Sequence, residues 1–375
     1  MDMISNLPPN IIDTVLCFLP IQEAARTSIL SREWRYRWNK IPKLVFEEVR
    51  FQVSYDVAES SVVDQTVNES SDRQIRVMFR RKRFFSAISQ VVLMHDGPIH
   101  ELTIDMLPDD DDIKNHTCVE IDRIIFHLSR KHTVKNLTIN LNNGIYELPY
   151  SLFSFSHLSD LCLVGCCFSQ KPTFSGFRRL RSLSLDGVYI SQKTLLHLLS
   201  SCPLFKNVTL EIDSRYIDID ESTTIINLFE SLRMIESLSI QFTVLELFVY
   251  DRAPRELRAL LSHLKYFYTH EIPFTQKCGL SCLVLLIRNS PNLEKLEIDN
   301  RMLDQDDSDM EDDLCTEDEL YSFTVDSYPD IWLEHLKEKV KITLDYSAFD
   351  EDEELPILLI LLRFPHASPV VEIII

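Results

Sequence analysis

Residues 157–165 read HLSDLCLVG, and residues 179–187 read RLRSLSLDG. Both stretches contain one pattern: an apolar residue, two others, an apolar residue, one other, and an apolar residue. The apolar positions are Leu158, Leu161 and Leu163 in the first stretch and Leu180, Leu183 and Leu185 in the second. Because successive side chains of a strand point to opposite faces, the last two apolar residues share one face. Each stretch therefore predicts a short strand that is buried on one side.

The same pattern returns along most of the chain, and most neighbouring copies lie 22 to 35 residues apart. Helical stretches such as residues 192–199 lie between the copies and end before a proline. One strand and one helix per repeat is typical of leucine-rich repeats, so we predict an α/β fold: a curved leucine-rich-repeat solenoid with parallel strands and outer helices. The further triads are Ile99/Leu102/Ile104, Val134/Leu137/Ile139, Phe205/Val208/Leu210, Ile235/Leu238/Ile240, Leu264/Phe267/Thr269, Leu293/Leu296/Ile298, Lys337/Val340/Ile342 and Val370/Ile373/Ile375.

Residues that flank and separate the last two members of each triad should line the concave face of such a solenoid. In the first six strands these positions hold five acids and no Lys or Arg, which argues against a phosphorylated cofactor and for a neutral or basic partner. The seventh strand presents Tyr266, Tyr268 and His270, which either contact a target or pack under the C-terminal repeats. The candidate target-binding residues are Asp160, Asp186, Glu211, Tyr266, Tyr268 and His270.

The composition indicates which partners and compartments suit the chain. Its 375 residues are 45% hydrophobic and carry a formal charge of -20, so nucleic acid and anionic membranes would repel it. Residues 1–45 differ, with six Lys or Arg against four Asp or Glu. The nine cysteines are odd in number and scattered, which favours reduced thiols in the cytoplasm or nucleus over a disulfide framework. No apolar run reaches the ~20 residues of a membrane helix, and we expect no leader sequence.

The first 45 residues form a separate helical pattern. Leu7-Pro8-Pro9 begins a helix with Ile12 and Leu16 on one face, and Pro20 ends it. A second short helix and a third, capped at Ser31, fit before Pro42. So small a unit cannot bury all its apolar side chains, so it should either dock on the next domain or offer an apolar face to another protein.

The run at 5–38, SNLPPNIIDTVLCFLPIQEAARTSILSREWRYRW, closely resembles an F-box. The resemblance rests on Leu7-Pro8, Leu19-Pro20 and the stretch from Thr27 to Trp34. It implies binding to a Skp-type adaptor, which is acidic in this family and suits the positive balance of the segment. The residues that the resemblance assigns to the adaptor are Leu7, Pro8, Ile11, Ile12, Leu16, Leu30, Ser31 and Trp34. The alternative is that these residues only cover the end of the next domain.

The later segments resemble the plant-type F-box/FBD/LRR-repeat family (FBD-associated F-box proteins). Residues 91–104, 123–139, 148–168 and 198–210 are similar to its repeats, and the stretch from Trp332 to Ile373 is similar to its closing FBD module, although Phe364-Pro365-His366 departs from it. The resulting division is an F-box at 1–45, a linker and N-terminal cap at 46–90, leucine-rich repeats at 91–300, an acidic loop at 301–325 and an FBD-like module at 326–375.

The resemblance implies a non-catalytic subunit of a cullin-RING, SCF-type ubiquitin ligase. In that role the F-box holds the adaptor, and through it a cullin, while the repeats hold a target protein. One alternative is a repeat scaffold without a ligase role. Another is a hydrolase, which would require a clustered Ser/His/Asp or Cys/His set that the predicted concave face does not contain.

Several weaker signals favour no cofactor and no metal. The run Arg80 to Arg83 is either a nuclear import signal or, as we favour, a solvated stretch before a helix that starts near Phe84. The stretch from Asp304 to Glu319 holds ten acids in sixteen residues, but a calcium loop would need glycine where Asp309 stands. No cysteines have zinc-ligand spacing, and no glycine motif for nucleotides is present.

Overall fold

The computed structural model describes residues 7–32, 34–52, 69–107, 118–131, 133–141, 146–168, 177–212, 217–218, 224–246, 248, 261–270, 283, 285–300, 340–344 and 371–374. The chain divides into two compact units, which we describe separately. The first unit comprises residues 1–180 and 186–190, and the second comprises residues 181–185 and 191–375.

A helical cluster begins the first unit. Helix α1, Pro9–Cys17, has proline at its first position, where no intrahelical amide bond is lost, and α2, Ile21–Arg26, follows Pro20. The 3₁₀ turns Thr27–Ile29 and Trp38–Lys40 complete the cluster. The predicted third helix is a run of tight turns, because Trp34 N donates to Ser31 O and Arg37 N donates to Trp34 O. The hydroxyl of Ser31 makes no capping bond among the described atoms.

The first unit continues as a parallel sheet. Strands β1, Lys43–Glu47, β2, Glu101–Asp105, β3, Asn136–Asn140, and β5, Asp160–Val164, pair side by side in register. The intervening helices are α3, Glu48–Gln52, α4, Glu69–Met94, and α5, Cys118–Lys131, with a 3₁₀ helix at Tyr150–Ser154. A second, short pair joins β4, Tyr146–Glu147, to β6, Cys166–Cys167.

The second unit repeats the same plan. It contains most of β7, Ser182–Asp186, followed by β9, Asn207–Glu211, β11, Ser237–Gln241, β12, Tyr266–His270, β13, Lys295–Asn300, β14, Val340–Leu344, and β15, Val371–Ile374. From β9 onward each strand pairs in parallel with the next one named here. Two short strands are β8, Ile190–Ser191, whose first residue belongs to the first unit, and β10, Ile217–Asp218.

Three helices of the second unit follow strands, and two of them are capped by their own residues. They are α6, Gln192–Ser200, α7, Ile225–Ser231, and α8, Phe242–Glu246. Ser191 Oγ accepts a hydrogen bond from Thr194 N at 3.2 Å, and Thr224 and Asn227 form a capping box on α7. These caps satisfy helix amides that no carbonyl within the helix reaches.

The mixed α/β fold with parallel repeat strands is confirmed. Every triad predicted from the sequence corresponds to a strand. The five-residue strands through β12 bury their second and fourth residues while their other residues stay at least partly open. Gly165 and Gly187, directly after β5 and β7, adopt φ of 63° and 54°, a left-handed conformation that glycine tolerates best. The acidic stretch at 301–325 lies outside the described residues.

The segment assigned to a linker and cap contains more regular structure than we predicted. Strand β1 begins the sheet at Lys43, and α4 starts well before Phe84. The interpretation of Arg80 to Arg83 as solvated is wrong for Arg81, which is 2% exposed and donates to Leu107 O at 3.3 Å. Buried Glu48 accepts hydrogen bonds from Arg80 Nε at 2.8 Å and Leu107 N at 3.1 Å. This polar network ties α3 and α4 to the end of β2.

Candidate functional site

An exposed apolar stripe runs along α1. Ile11 and Val15 lie four residues apart and share one side of the helix, and Leu7 and Phe18 continue this spacing just beyond its two ends. Phe18 is 83% exposed, and Ile29, in the turn that follows α2, is 87% exposed. Apolar side chains clustered at this exposure mark a surface that another molecule covers. We call Leu7, Ile11, Val15, Phe18, Ile29 and Leu30 the apolar stripe.

The opposite side of the cluster is its own core. Ile12, Leu16 and Trp34 pack with Ala24 and Ile41, and each of them is nearly inaccessible to solvent. The eight residues that the resemblance assigned to an adaptor therefore occupy different environments. Leu7, Pro8, Ile11 and Leu30 are exposed, Ser31 is half-buried, and Ile12, Leu16 and Trp34 are buried. The buried three are positioned to support the stripe by packing, and the adaptor assignment itself stays a prediction.

Three members of the apolar stripe were not among the predicted adaptor residues: Val15, Phe18 and Ile29. Helical periodicity was the available signal for the first two, because Val15 and Phe18 continue the spacing set by Leu7 and Ile11. Positive charge predominates on the described residues of the helical cluster, since Arg32 and Arg35 are exposed while Arg37 approaches Asp13 at 3.5 Å. The surface therefore suits an apolar partner with acidic surroundings.

A tight joint connects this cluster to the first sheet. Asn39 O accepts hydrogen bonds from Asp96 N at 2.9 Å and Gly97 N at 3.3 Å, and Asn39 Nδ2 donates to Asp96 Oδ2 at 3.0 Å. The two ring nitrogens of buried His95 lie 2.8 Å from Ile41 O and 2.9 Å from Gly97 O. A Cβ on Gly97 would come within 2.8 Å of Lys40 Cα, so only glycine fits there. The joint holds the base of the cluster against the turn before β2.

The second candidate surface is the open face of the strands. In the first unit, Lys43 Nζ lies 2.5 Å from Glu101 Oε1, and Asn140 Nδ2 donates to Asp105 Oδ1 at 2.8 Å. Burial raises the pKa of Asp105, the hydrogen bond from Asn140 opposes this rise, and the nearby Glu47 adds to it. Because β1 was not predicted, Lys43 is a basic residue on this face that the sequence analysis missed.

The six predicted target-binding residues all lie on open faces of their strands. Asp160, Asp186 and Glu211 are half-buried, and burial raises the pKa of Asp186. Tyr266 is exposed, whereas Tyr268 and His270 are half-buried with their ring centroids 5.9 Å apart. Their side chains are open to solvent to different degrees, and their contact with a target remains a prediction.

Metal-binding clusters and membrane-spanning helices are both absent from the described part of the chain. No group of three or more His, Cys, Asp or Glu residues is arranged there to hold a metal ion. No helix among the described residues is long and apolar enough to cross a membrane. Burial strongly raises the pKa of the Cys166 thiol, so this sulfur is a packing group and not a reactive thiolate.

Two family models match separate parts of this chain. Residues 4–46 match the model of the F-box domain, and residues 123–262 match the model described as FBD-associated F-box protein At5g56370, LRR repeats. The resemblance to F-box/FBD/LRR-repeat proteins is thus confirmed: the chain carries an F-box followed by FBD-associated leucine-rich repeats.

Three relatives from Arabidopsis thaliana illustrate how far the similarity extends. F-box/FBD/LRR-repeat protein At1g13570 is 25% identical over 98% of this chain and 97% of its own length. FBD-associated F-box protein At4g10400 is 26% identical over 65% of this chain and 53% of its own length. F-box/LRR-repeat protein At3g03360 is 28% identical over 60% of this chain and 42% of its own length. The matches to the latter two thus span only about half of those relatives.

Proposed function

We propose that this chain is the substrate-recognition subunit of an SCF-type cullin-RING ubiquitin ligase inside the cell. The apolar stripe of the F-box binds a Skp-type adaptor, and through it a cullin, while the open strand faces bind a target protein. The chain itself performs no chemistry in this proposal. It raises the effective concentration of the target near the ubiquitin-loaded enzyme.

The exposure of the apolar stripe is the observation that supports this proposal. The F-box match covers the same residues, and F-box domains generally bind Skp-type adaptors. Covering apolar surface contributes roughly 25 cal/mol per Å², so several large side chains on one small cluster are enough to anchor a partner. The stripe is open in the first unit because Ile12, Leu16 and Trp34 already fill the core of the cluster.

A matched pair of double variants tests the adaptor role. Val15→Asp with Phe18→Asp places two charges in the stripe, and we expect adaptor affinity to fall by about tenfold or more, because charge replaces apolar contacts. Val119→Asp with Phe126→Asp makes the same substitutions at exposed positions of α5 and should keep full affinity. Co-elution with a purified Skp-type adaptor in size-exclusion chromatography gives the comparison, with circular dichroism as the folding control.

Two outcomes would contradict the proposal. If the wild-type chain fails to co-elute with a panel of Skp-type adaptors, the repeats act as an interaction scaffold without a ligase role. If both double variants bind like wild type, the adaptor does not use the stripe.

We also propose the domain division at 1–45, 46–90, 91–300, 301–325 and 326–375, with the qualification that the sheet already starts at Lys43.

A further inference from the structure

On the open face of the second unit, short side chains on β11 lie beside long side chains on β12. Ser237 and Ser239 on β11 lie directly beside Tyr266 and Tyr268 on β12. Neighbouring strands are only about 4.8 Å apart, so each serine hydroxymethyl group stands next to a much longer tyrosine side chain. On β9, Asn207 and Thr209 place further short polar side chains beside these two serines. We call Tyr266 and Tyr268, with the two serines beside them, the tyrosine step.

Both rings of the step are at least partly exposed to solvent. Tyr266 is 41% exposed, and Tyr268 is half-buried beside His270, with an interplanar angle of 36° between their rings. A partner can pack its side chains against the aromatic rings while its backbone contacts the short polar side chains beside them. A cation placed over a tyrosine ring gains further attraction from the ring quadrupole.

Carboxylates lie on both sides of the step. Glu211 ends β9 on the side of the serines, and β13 brings Lys295, Glu297 and Asp299 alongside Tyr266, Tyr268 and His270. The ammonium group of Lys295 lies 3.0 Å from Glu297 Oε1 and is therefore already paired. The local charge is negative on a face that also offers aromatic rings, which favours a cationic partner and repels an anionic one.

We propose that the tyrosine step binds an extended segment of the target that carries arginine or lysine side chains. The segment lies over Ser237 and Ser239, its cationic groups stack on the rings of Tyr266 and Tyr268, and they pair with Glu211 on one side or Asp299 on the other. Arginine fits best, because its planar group stacks on aromatic faces and pairs with carboxylates. The proposal rests on the proposed function only in assigning the segment to the target.

The experiment measures fluorescence anisotropy with the full chain and two fluorescein-labelled nine-residue peptides. One peptide consists of Gly and Ser with three Arg residues, and the other replaces each Arg with Glu. We expect the Arg peptide to bind and the Glu peptide not to bind. In the variant Tyr266→Ser with Tyr268→Ser, which removes the step, affinity for the Arg peptide should fall by about fivefold or more.

A second pair of variants separates a shaped site from general attraction to an acidic chain. Glu211→Gln with Asp299→Asn should weaken binding of the Arg peptide by about fivefold, because it removes the two carboxylates to which the proposal assigns the cationic groups. Glu23→Gln with Glu230→Gln removes the same charge at exposed helical positions and should change affinity by less than about twofold. Equal losses in both pairs, or unchanged binding when the step is removed, would overturn the proposal.

Adaptor co-elution of the step variant keeps this proposal distinct from the ligase role. The variant should bind a Skp-type adaptor as wild type does, because its substitutions lie in the second unit and the apolar stripe lies in the first. Failure of wild-type adaptor binding with intact peptide binding would refute the ligase role alone. Intact adaptor binding with no preference for the Arg peptide would refute the tyrosine step alone.

Discussion

The helical cluster and the repeat strands treat their apolar residues in opposite ways. In the strands, Leu161, Leu163, Leu183 and Leu185 are each covered, and polar residues take the open positions between them. In the cluster, Ile12, Leu16 and Trp34 fill a small core while Phe18 and Ile29 remain open. A repeat covers its strand with neighbouring repeats, whereas a cluster of about forty residues has too little interior for all its apolar groups. The cluster thus leaves large apolar groups open for a partner to cover, whereas the apolar residues of these strands are already covered.

The largest expected effect comes from removing the centre of the cluster core, which tests whether its buried and exposed apolar residues differ in their contribution to stability. Trp34→Ala should destabilise the cluster by about 3–5 kcal/mol, because a large buried ring is lost and a cavity remains. Hydrogen exchange at the amides of residues 9–26 should then accelerate strongly. The matched control is Ile29→Ala, which should change stability by less than about 0.5 kcal/mol, since Ile29 is 87% exposed. Similar effects of the two variants would show that core and stripe are not distinct.

A second variant tests whether the cluster and the first sheet are joined rigidly. Gly97→Ala should destabilise the first unit by about 1–3 kcal/mol, because the added Cβ would lie 2.8 Å from Lys40 Cα and force the backbones apart. We expect faster hydrogen exchange at the amides of Asp96 and Gly97, which both donate to Asn39 O.

The control for Gly97→Ala is the same substitution at a glycine where an added Cβ has space. A Cβ on Gly187 meets no atom closer than 4.0 Å, so Gly187→Ala strains only its own turn, at φ of 54°. The amides of Asp96 and Gly97 should keep their protection in that variant. If Gly187→Ala opens the joint as much as Gly97→Ala does, the close approach at Lys40 is not what holds it.

The smallest expected effect concerns the charges of the strand face. Burial raises the pKa of Asp186, so its folded-state carboxylate is less favourable than the same group in the unfolded chain. Well below the unfolded pKa both states are protonated and the penalty is absent, and it appears as the pH rises through the folded pKa. Asp186→Asn should therefore raise the urea midpoint slightly at pH 7, and this gain should shrink as the pH is lowered toward 4. A gain that grows on acidification would show that Asp186 is stabilised as an anion.

The triads show which strands the apolar pattern of the sequence predicted and which strand was missed. Every predicted triad corresponds to a strand because alternation of apolar residues is a local property that each strand carries itself. Ile41, Leu44 and Phe46 have the same spacing, and all three are buried, yet β1 was missed because its residues were divided between the end of the F-box and the start of the linker. Arg81 is the contrary case. Its burial depends on Leu107 O, which lies 26 residues away, so a local pattern of four basic residues gave no sign of it.

The sequence by itself determined the repeat strands, the helical amino end and their polar open faces, because periodicity and prolines act within a few residues of themselves. Only the tertiary structure decided which apolar residues of the amino end form a core and which form the stripe. Ile11 and Ile12 are neighbours of the same type, but Ile12 is 2% exposed and Ile11 is 43% exposed. The difference comes from Trp34 and Ile41, which fold back onto one side of α1 and leave the other side open.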